Sequence, residues 1–306
     1  MHALPDGLAP RAPLRLPRWA TLPLERDEDA TAAHAGAALA VLDAAAEAAA
    51  PHAGAWTERL GLTAAVIAVG RLGRSEDEAA LRDGIALSPD PPAGPAAPVL
   101  RAYLWLASGR TGDRWTDLPG LLAGLGARTG STSTDLAAAL AAAAAMACPL
   151  AAASAAIRAV AVVRPGRGAL ALWAVDVALA RWLGWPYGLP LLTLGLPHGV
   201  PDPGALAAAD TERRLATAVL RGSARALDRF AVLGRSAATL QELRPRLRAR
   251  PAGRVVDRLL SRDALSVAGV RDLIPERAAR RLFDRLVALG AIRELTGRAT
   301  ARLYGL

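Results

Sequence analysis

The sequence predicts a mainly α-helical chain, in which an alanine-rich helical domain is followed by a C-terminal winged helix-turn-helix with a short β-hairpin. Three observations predict it. Residues 37–50, 136–147 and 170–183 are runs of Ala and Leu, poor in β-branched residues and bounded by Pro and Gly. Such side chains lose little rotamer freedom on a helix, so the runs favour packed helices over strands. The excess of positive charge is confined to one end, because residues 1–200 hold 16 Arg against 17 Asp and Glu, whereas residues 201–306 hold 21 Arg against 11. The last fifty-odd residues then pass from helical spacing to strand-like alternation around glycines.

With 306 residues and 53% hydrophobic composition, the chain can bury one large core and one small one. The expected division is a loosely ordered arm over residues 1–30, a helical domain over 31–243 and a winged helix over 251–306. All 37 basic residues are Arg, and neither Lys nor Asn occurs. A phosphate-binding loop with its lysine, a Schiff-base lysine and an N-glycosylation acceptor are thereby excluded. Cys148 is the single cysteine, which rules out an internal disulfide and a multi-cysteine zinc site; within its alanine run it reads as a buried, inert thiol.

Residues 1–24 mix Pro, Arg and Leu without the continuous apolar core of a secretion signal, so a cytoplasmic location is expected. Residues 136–157 carry no charge and are long enough to span a bilayer. Alanine supplies little insertion energy, however, and Pro149 interrupts the run, so buried helices are expected and no membrane partner.

Ser75-Glu76-Asp77-Glu78 opens a helix as a capping box, with Ser75 accepting from the amide three residues on and Glu78 reaching back. Residues 88–95, with four prolines, stop it. A second break at residues 195–204 separates the near-neutral part from the basic one. Beyond it Leu215, Val219, Ala226, Phe230 and Leu233 recur at helical spacing, with Arg213, Arg214, Arg221, Arg225 and Arg229 mostly on other positions. An arginine-rich connector at residues 243–251 leads into the terminal module.

There, residues 254–260 predict a first helix, 267–274 a second and 275–289 a third that starts on Pro275 and ends before Gly290. At 100° per residue Ala279, Leu282, Leu286 and Leu289 share one face with Phe283 at its margin. Arg277, Arg280, Arg281 and Asp284 take the opposite face, with Arg285 at its edge. Residues 291–294 and 299–304 alternate as a hairpin around the turn at 295–298. Three helices and a hairpin are the winged-helix order, whose third helix enters the major groove. Arg277, Arg280, Arg281 and Arg285 are therefore the candidates to read or clamp DNA, since a guanidinium fork binds guanine or phosphate with two parallel hydrogen bonds. Arg293, Arg298 and Arg302, on the hairpin, are candidates for phosphate contacts. Asp284 is spaced to pair with Arg280 or Arg281, which would leave part of this face solvated and neutral.

Catalytic chemistry leaves no pattern. His2, His34, His52 and His198 are far apart, no His-Glu-x-x-His helix or Gly-x-Ser-x-Gly elbow exists, and no catalytic residue, cofactor or metal site is assigned. Helix capping accounts for Glu76-Asp77-Glu78 without a cation. Residues 124–130 miss the dinucleotide fingerprint by one residue and read as an interhelical loop. Trp173, Trp182, Trp185 and Tyr187 read as core or contact packing, and Asp176 and Arg181, in an apolar helix, as a mutual or interhelical pair.

Three stretches carry a family resemblance: Glu76-Asp77-Glu78-Ala79-Ala80-Leu81-Arg82-Asp83; Ala171 to Ala180 with Gly184-Trp185-Pro186 and Leu189-Pro190-Leu191-Leu192; and Leu289-Gly290-Ala291-Ile292-Arg293-Glu294-Leu295-Thr296-Gly297-Arg298. Together they resemble an uncharacterised proteobacterial family, often plasmid-borne, catalogued as domain of unknown function 1403, over roughly residues 37–306. The resemblance implies no activity. The last stretch is also similar to the winged helix of Fic-associated proteins, which carries a Leu-Gly-Ile-x-x-Glu-x-Thr-Gly-Arg pattern, here with Ala291 inserted before Ile292. The His-Pro-Phe motif of that enzyme class is absent, so adenylyl transfer is not implied.

The functional expectation is a non-enzymatic DNA-binding protein, a transcriptional regulator or mobile-replicon maintenance factor, with duplex DNA as partner. One alternative is a protein-interaction or homodimerisation module; another is an enzyme whose site is assembled from scattered residues of the helical domain.

Overall fold

The computed structural model describes residues 14–21, 28–48, 50–87, 96–108, 118–125, 127, 131–163, 168–196, 211–247, 250–296 and 302–306. The chain is mainly helical and ends in a small antiparallel sheet. Its body comprises α1 (Glu28–Glu47), α2 (Ala53–Arg71), α3 (Glu78–Leu87), α4 (Ala97–Ala107), α5 (Leu118–Gly124), α6 (Ser131–Ala143), α7 (Pro149–Val163), α8 (Gly168–Trp182), α9 (Leu191–Gly195) and α10 (Thr211–Leu243). Helix α8 is buried on every side from Ala169 to Ala180, as an apolar helix without a polar face must be. Helix α10 carries its apolar stripe against α1, α7 and α9.

Polar tips of aromatic side chains tie this core together. Trp173 Nε1 donates to the Ala102 carbonyl at 3.0 Å, Trp185 Nε1 to Asp43 at 2.5 Å, Trp182 Nε1 to the Met146 carbonyl at 2.7 Å and Tyr187 to the Ala46 carbonyl at 3.0 Å. Asp176 is fully buried but does not pair with Arg181. Its Oδ1 accepts the Leu192 amide at 2.7 Å and its Oδ2 the Thr193 hydroxyl at 3.1 Å, so it serves the otherwise unpaired first turn of α9. Burial pushes its carboxyl up to about 8, against the opposing pull of those hydrogen bonds.

The uncharged run at residues 136–157 is broken by a bend at Met146–Cys148, and among the described residues no helix is long and apolar enough to cross a membrane. Cys148 is exposed rather than buried. It stands just before α7, where its Sγ accepts the Ala151 amide at 3.4 Å. The expected cap of α3 also shifts: the helix starts at Glu78, and Asp77, not Ser75, accepts the Ala80 amide at 2.8 Å. Glu78 instead receives the Thr63 hydroxyl at 2.8 Å. Most of residues 88–95 and 124–130 and the break after Leu196 lie outside the described residues.

The C-terminal part comprises α11 (Arg250–Ser261), β1 (Leu265–Ser266), a 3-10 turn at Ala268–Val270, α12 (Glu276–Ala288), β2 (Arg293–Glu294) and β3 (Leu303–Gly305). The sheet order is β1-β3-β2, with Leu265 opposite Tyr304 and Arg293 opposite Gly305, both pairings antiparallel. The second helix expected at 267–274 is not an α-helix. Gly269 and two valines lower the helix propensity of this short segment. Pairing draws Leu265 and Ser266 into the sheet, and Ser266 Oγ accepts the Gly269 amide at 3.0 Å.

Candidate nucleic-acid interface

Helix α12 owes its orientation to three buried side chains, Ala279, Phe283 and Leu286. Phe283 is central rather than marginal: it is fully buried and stacks on Tyr304 of β3, with ring centroids 4.8 Å apart. Burying such a ring contributes roughly 1.5–3 kcal/mol, enough to fix which face of the helix turns inward. Leu289 leaves the buried face and is 48% exposed, because the helix ends at Ala288 and Gly290 adopts φ 67°, the left-handed turn that glycine makes cheaply.

Arg277, Arg280, Arg281 and Arg285 consequently point to solvent. Arg277, Arg281 and Arg285 make no ion pair with any described residue. Arg280 does, with Glu276 at 2.6 Å, and Glu276 also takes Arg271 at 3.2 Å. The hydrogen bond from Arg280, and then the Arg271 charge, hold the Glu276 carboxyl below its ordinary range. Asp284, expected to neutralise Arg280 or Arg281, hydrogen-bonds to neither and reaches Arg280 only through space.

The hairpin arginines separate. Arg302 lies 3.8 Å from Glu294, and hydrogen bonding to Tyr304 with the Glu294 charge raises its pKa. Arg293, the first residue of β2, is exposed, but desolvation lowers its pKa, and the neighbouring charges of Arg59, Arg229 and Arg82 lower it further. Arg298 lies outside the described residues. The described members of the predicted set are thus all exposed, as a row on α12 with Arg293 on β2 and Arg302 just before β3.

A joint that sequence reasoning missed fixes the direction in which this row looks. Asp263, just beyond α11, accepts Arg59 Nε on one carboxylate oxygen and Arg82 Nε, at 2.7 Å, on the other. Arg59 Nη2 also donates to the Asp263 carbonyl at 3.0 Å, and Glu58 accepts the Asp263 amide at 2.8 Å. The Arg59, Arg82 and Asp263 side chains are all nearly solvent-free. Arg59 comes from α2 and Arg82 from α3, so the pair clamps the C-terminal elements to the body. The backbones also touch, since a Cβ on Gly54 would lie 2.4 Å from the Ser261 carbonyl oxygen. The only sequence signal is that Arg59 precedes eleven uncharged residues.

Elsewhere His52 packs on Phe230 at 4.5 Å between ring centroids, with Nε2 3.2 Å from the Phe230 carbonyl oxygen. Desolvation lowers its pKa, partly opposed by that hydrogen bond. His34 lies against Trp19, and His2 and His198 lie outside the described residues. Among the described residues no group of three or more His, Cys, Asp and Glu side chains is placed to hold a metal. No curated protein gives a significant match to the chain. A family model described as protein of unknown function (DUF1403) matches residues 9–306, and the chain belongs to that family.

Proposed function

We propose that this protein binds duplex DNA without catalysing a reaction, as a cytoplasmic transcriptional regulator or a maintenance factor of a mobile replicon. Residues 251–306 act as a winged helix, carried by a helical domain over residues 31–243. The helix, strand, turn, helix, hairpin order and the central place of β3 support that reading, as does the likeness of residues 289–298 to the winged helix of Fic-associated proteins. One observation carries the DNA assignment: Arg277, Arg281 and Arg285 are exposed together on α12, opposite Phe283 and Leu286, with no carboxylate paired to them among the described residues. In the major groove this row would meet base edges and flanking phosphates, with Arg302 on a phosphate.

The test is a mobility shift with duplex DNA across a salt series. Binding should weaken steeply with salt, and the Arg277→Ala/Arg281→Ala/Arg285→Ala variant should lower the slope of log K against log salt by about 0.9 for each phosphate it no longer neutralises. Undiminished binding by that variant would overturn the reading. A second reading rests on Val287 and Leu289, 37% and 48% exposed at the end of α12. It makes that end a protein-docking surface, and a salt-insensitive complex without DNA affinity would favour it.

A further inference from the structure

A cavity of about 370 Å³ opens at the seam where the C-terminal elements meet α2, α3 and α4. Its volume falls at the small end of the range typical of small-molecule sites. Leu62, Ile85, Leu104 and Leu303 form an apolar wall, and Arg82 and Arg262 line the same space. The carboxylates that also line it are already engaged. Asp263 gives one oxygen to Arg59 and the other to Arg82, while Glu58 accepts the Asp263 amide and stands 3.2 Å from Arg262. The donors are not exhausted. Arg82, with its side chain only 6% exposed, uses Nε on Asp263 and makes a long 3.5 Å contact from Nη2 to Glu78, leaving Nη1 without a partner among the described residues. Arg262 spends a single nitrogen on Glu58, and its side chain is 56% exposed.

The geometry points to a binding site for a small amphipathic carboxylate, its head between Arg82 and Arg262 and its tail along the leucine wall. Arg82 therefore keeps donor capacity at the cavity wall, and a carboxylate supplies a charge-assisted acceptor for it. A free phosphate would satisfy the guanidiniums but leave the apolar wall wet. A cation would compete with Arg262 for Glu58 and leave Arg82 unserved. The site spans the joint between body and C-terminal elements, and its occupancy is measurable without reference to DNA.

The experiment is isothermal titration of the full chain with octanoate, octan-1-ol and octylamine, repeated on Arg262→Gln and Ala86→Trp. Both substituted positions are exposed and border the cavity, and circular dichroism melts verify that the variants fold. Octanoate should bind saturably, with octan-1-ol and octylamine at least about tenfold weaker, the value of one charged hydrogen bond. Arg262→Gln should weaken octanoate about tenfold and leave octan-1-ol unchanged. Ala86→Trp should abolish binding by filling the cavity. Octylamine or octan-1-ol binding as tightly as octanoate, undiminished binding by Ala86→Trp, or no saturable octanoate binding would each overturn the assignment.

Discussion

Arg59 and Asp263, 204 positions apart in sequence, form a buried ion pair that joins α2 to the turn after α11. Arg82 joins the same carboxylate from α3. Two guanidiniums share one carboxylate, so removing Asp263 strands Arg59 and leaves Arg82 only its 3.5 Å contact with Glu78.

The first prediction follows from that imbalance. Removing one member of a buried pair typically costs about 3–5 kcal/mol, because the remaining charge stays desolvated. Asp263→Ala should therefore lower unfolding stability by about that amount in urea titration, and should increase amide exchange across residues 250–261. A loss below about 1 kcal/mol would mean that water enters the joint and that the clamp is weak.

A second prediction separates close backbone approach from ordinary helix propensity. At Gly54 an added methyl would overlap the Ser261 carbonyl oxygen at 2.4 Å, and backbone cannot swing aside as a side chain can. Gly54→Ala should cost roughly 1–3 kcal/mol by overpacking. Gly36, exposed within α1, meets nothing within 4 Å, so Gly36→Ala should stabilise by roughly 0.5–1 kcal/mol through backbone entropy. Thermal melts of the two variants should move in opposite directions, and movement in the same direction would contradict the packing of α2 on α11.

Local periodicity explains which features the sequence reveals. The helical character, the bounds of α12 to within a residue and the outward row Arg277, Arg280 and Arg281 all follow from the 3.6-residue repeat of one helix. That repeat alone puts Phe283 at the margin, because the residue that decides its burial, Tyr304, comes from another element. Residues 267–274 read as helical because their apolar positions fit either period over so short a window. The strand pairing that anchors the start of this segment is made with Leu303 and Tyr304. The clamp on Asp263 is illegible for the same reason, since no spacing rule connects residues 59, 82 and 263. Asp176 signals that something must satisfy it but not what, and its partners lie on α9 rather than on its own helix.

Asp176 gives a pH dependence whose sign is definite. Its folded-state pKa, about 8, lies above the roughly 3.9 of an unfolded aspartate, so the folded chain holds this proton more tightly. The associated stability is complete below the unfolded value and is lost as pH rises from about 4 to about 8. Urea unfolding of the wild type minus that of Asp176→Asn should show stability falling across this window, because the amide cannot ionise. A difference that is flat or rises with pH would show that the buried site holds a carboxylate rather than a neutral acid.

Glu276 restrains the proposed DNA-facing row and supplies the most discriminating test of it. It holds Arg280 at 2.6 Å and Arg271 at 3.2 Å, so both cations must break an ion pair within the protein before gripping a phosphate. Arg281 and Arg277 have no such pairing among the described residues. If α12 meets a duplex, Arg281→Ala should weaken binding more than Arg280→Ala, since only the former forfeits an uncommitted donor. Glu276→Gln should do the reverse of both. It frees two guanidiniums and removes a negative charge from the interface, so affinity should rise several-fold at low salt and the salt dependence should steepen by about 0.9 for each further phosphate neutralised. Filter binding of short duplexes at several salt concentrations reads both quantities. Glu276→Gln binding more weakly than wild type would mean that the Arg271, Glu276 and Arg280 cluster positions the helix for binding instead of holding its charge in check.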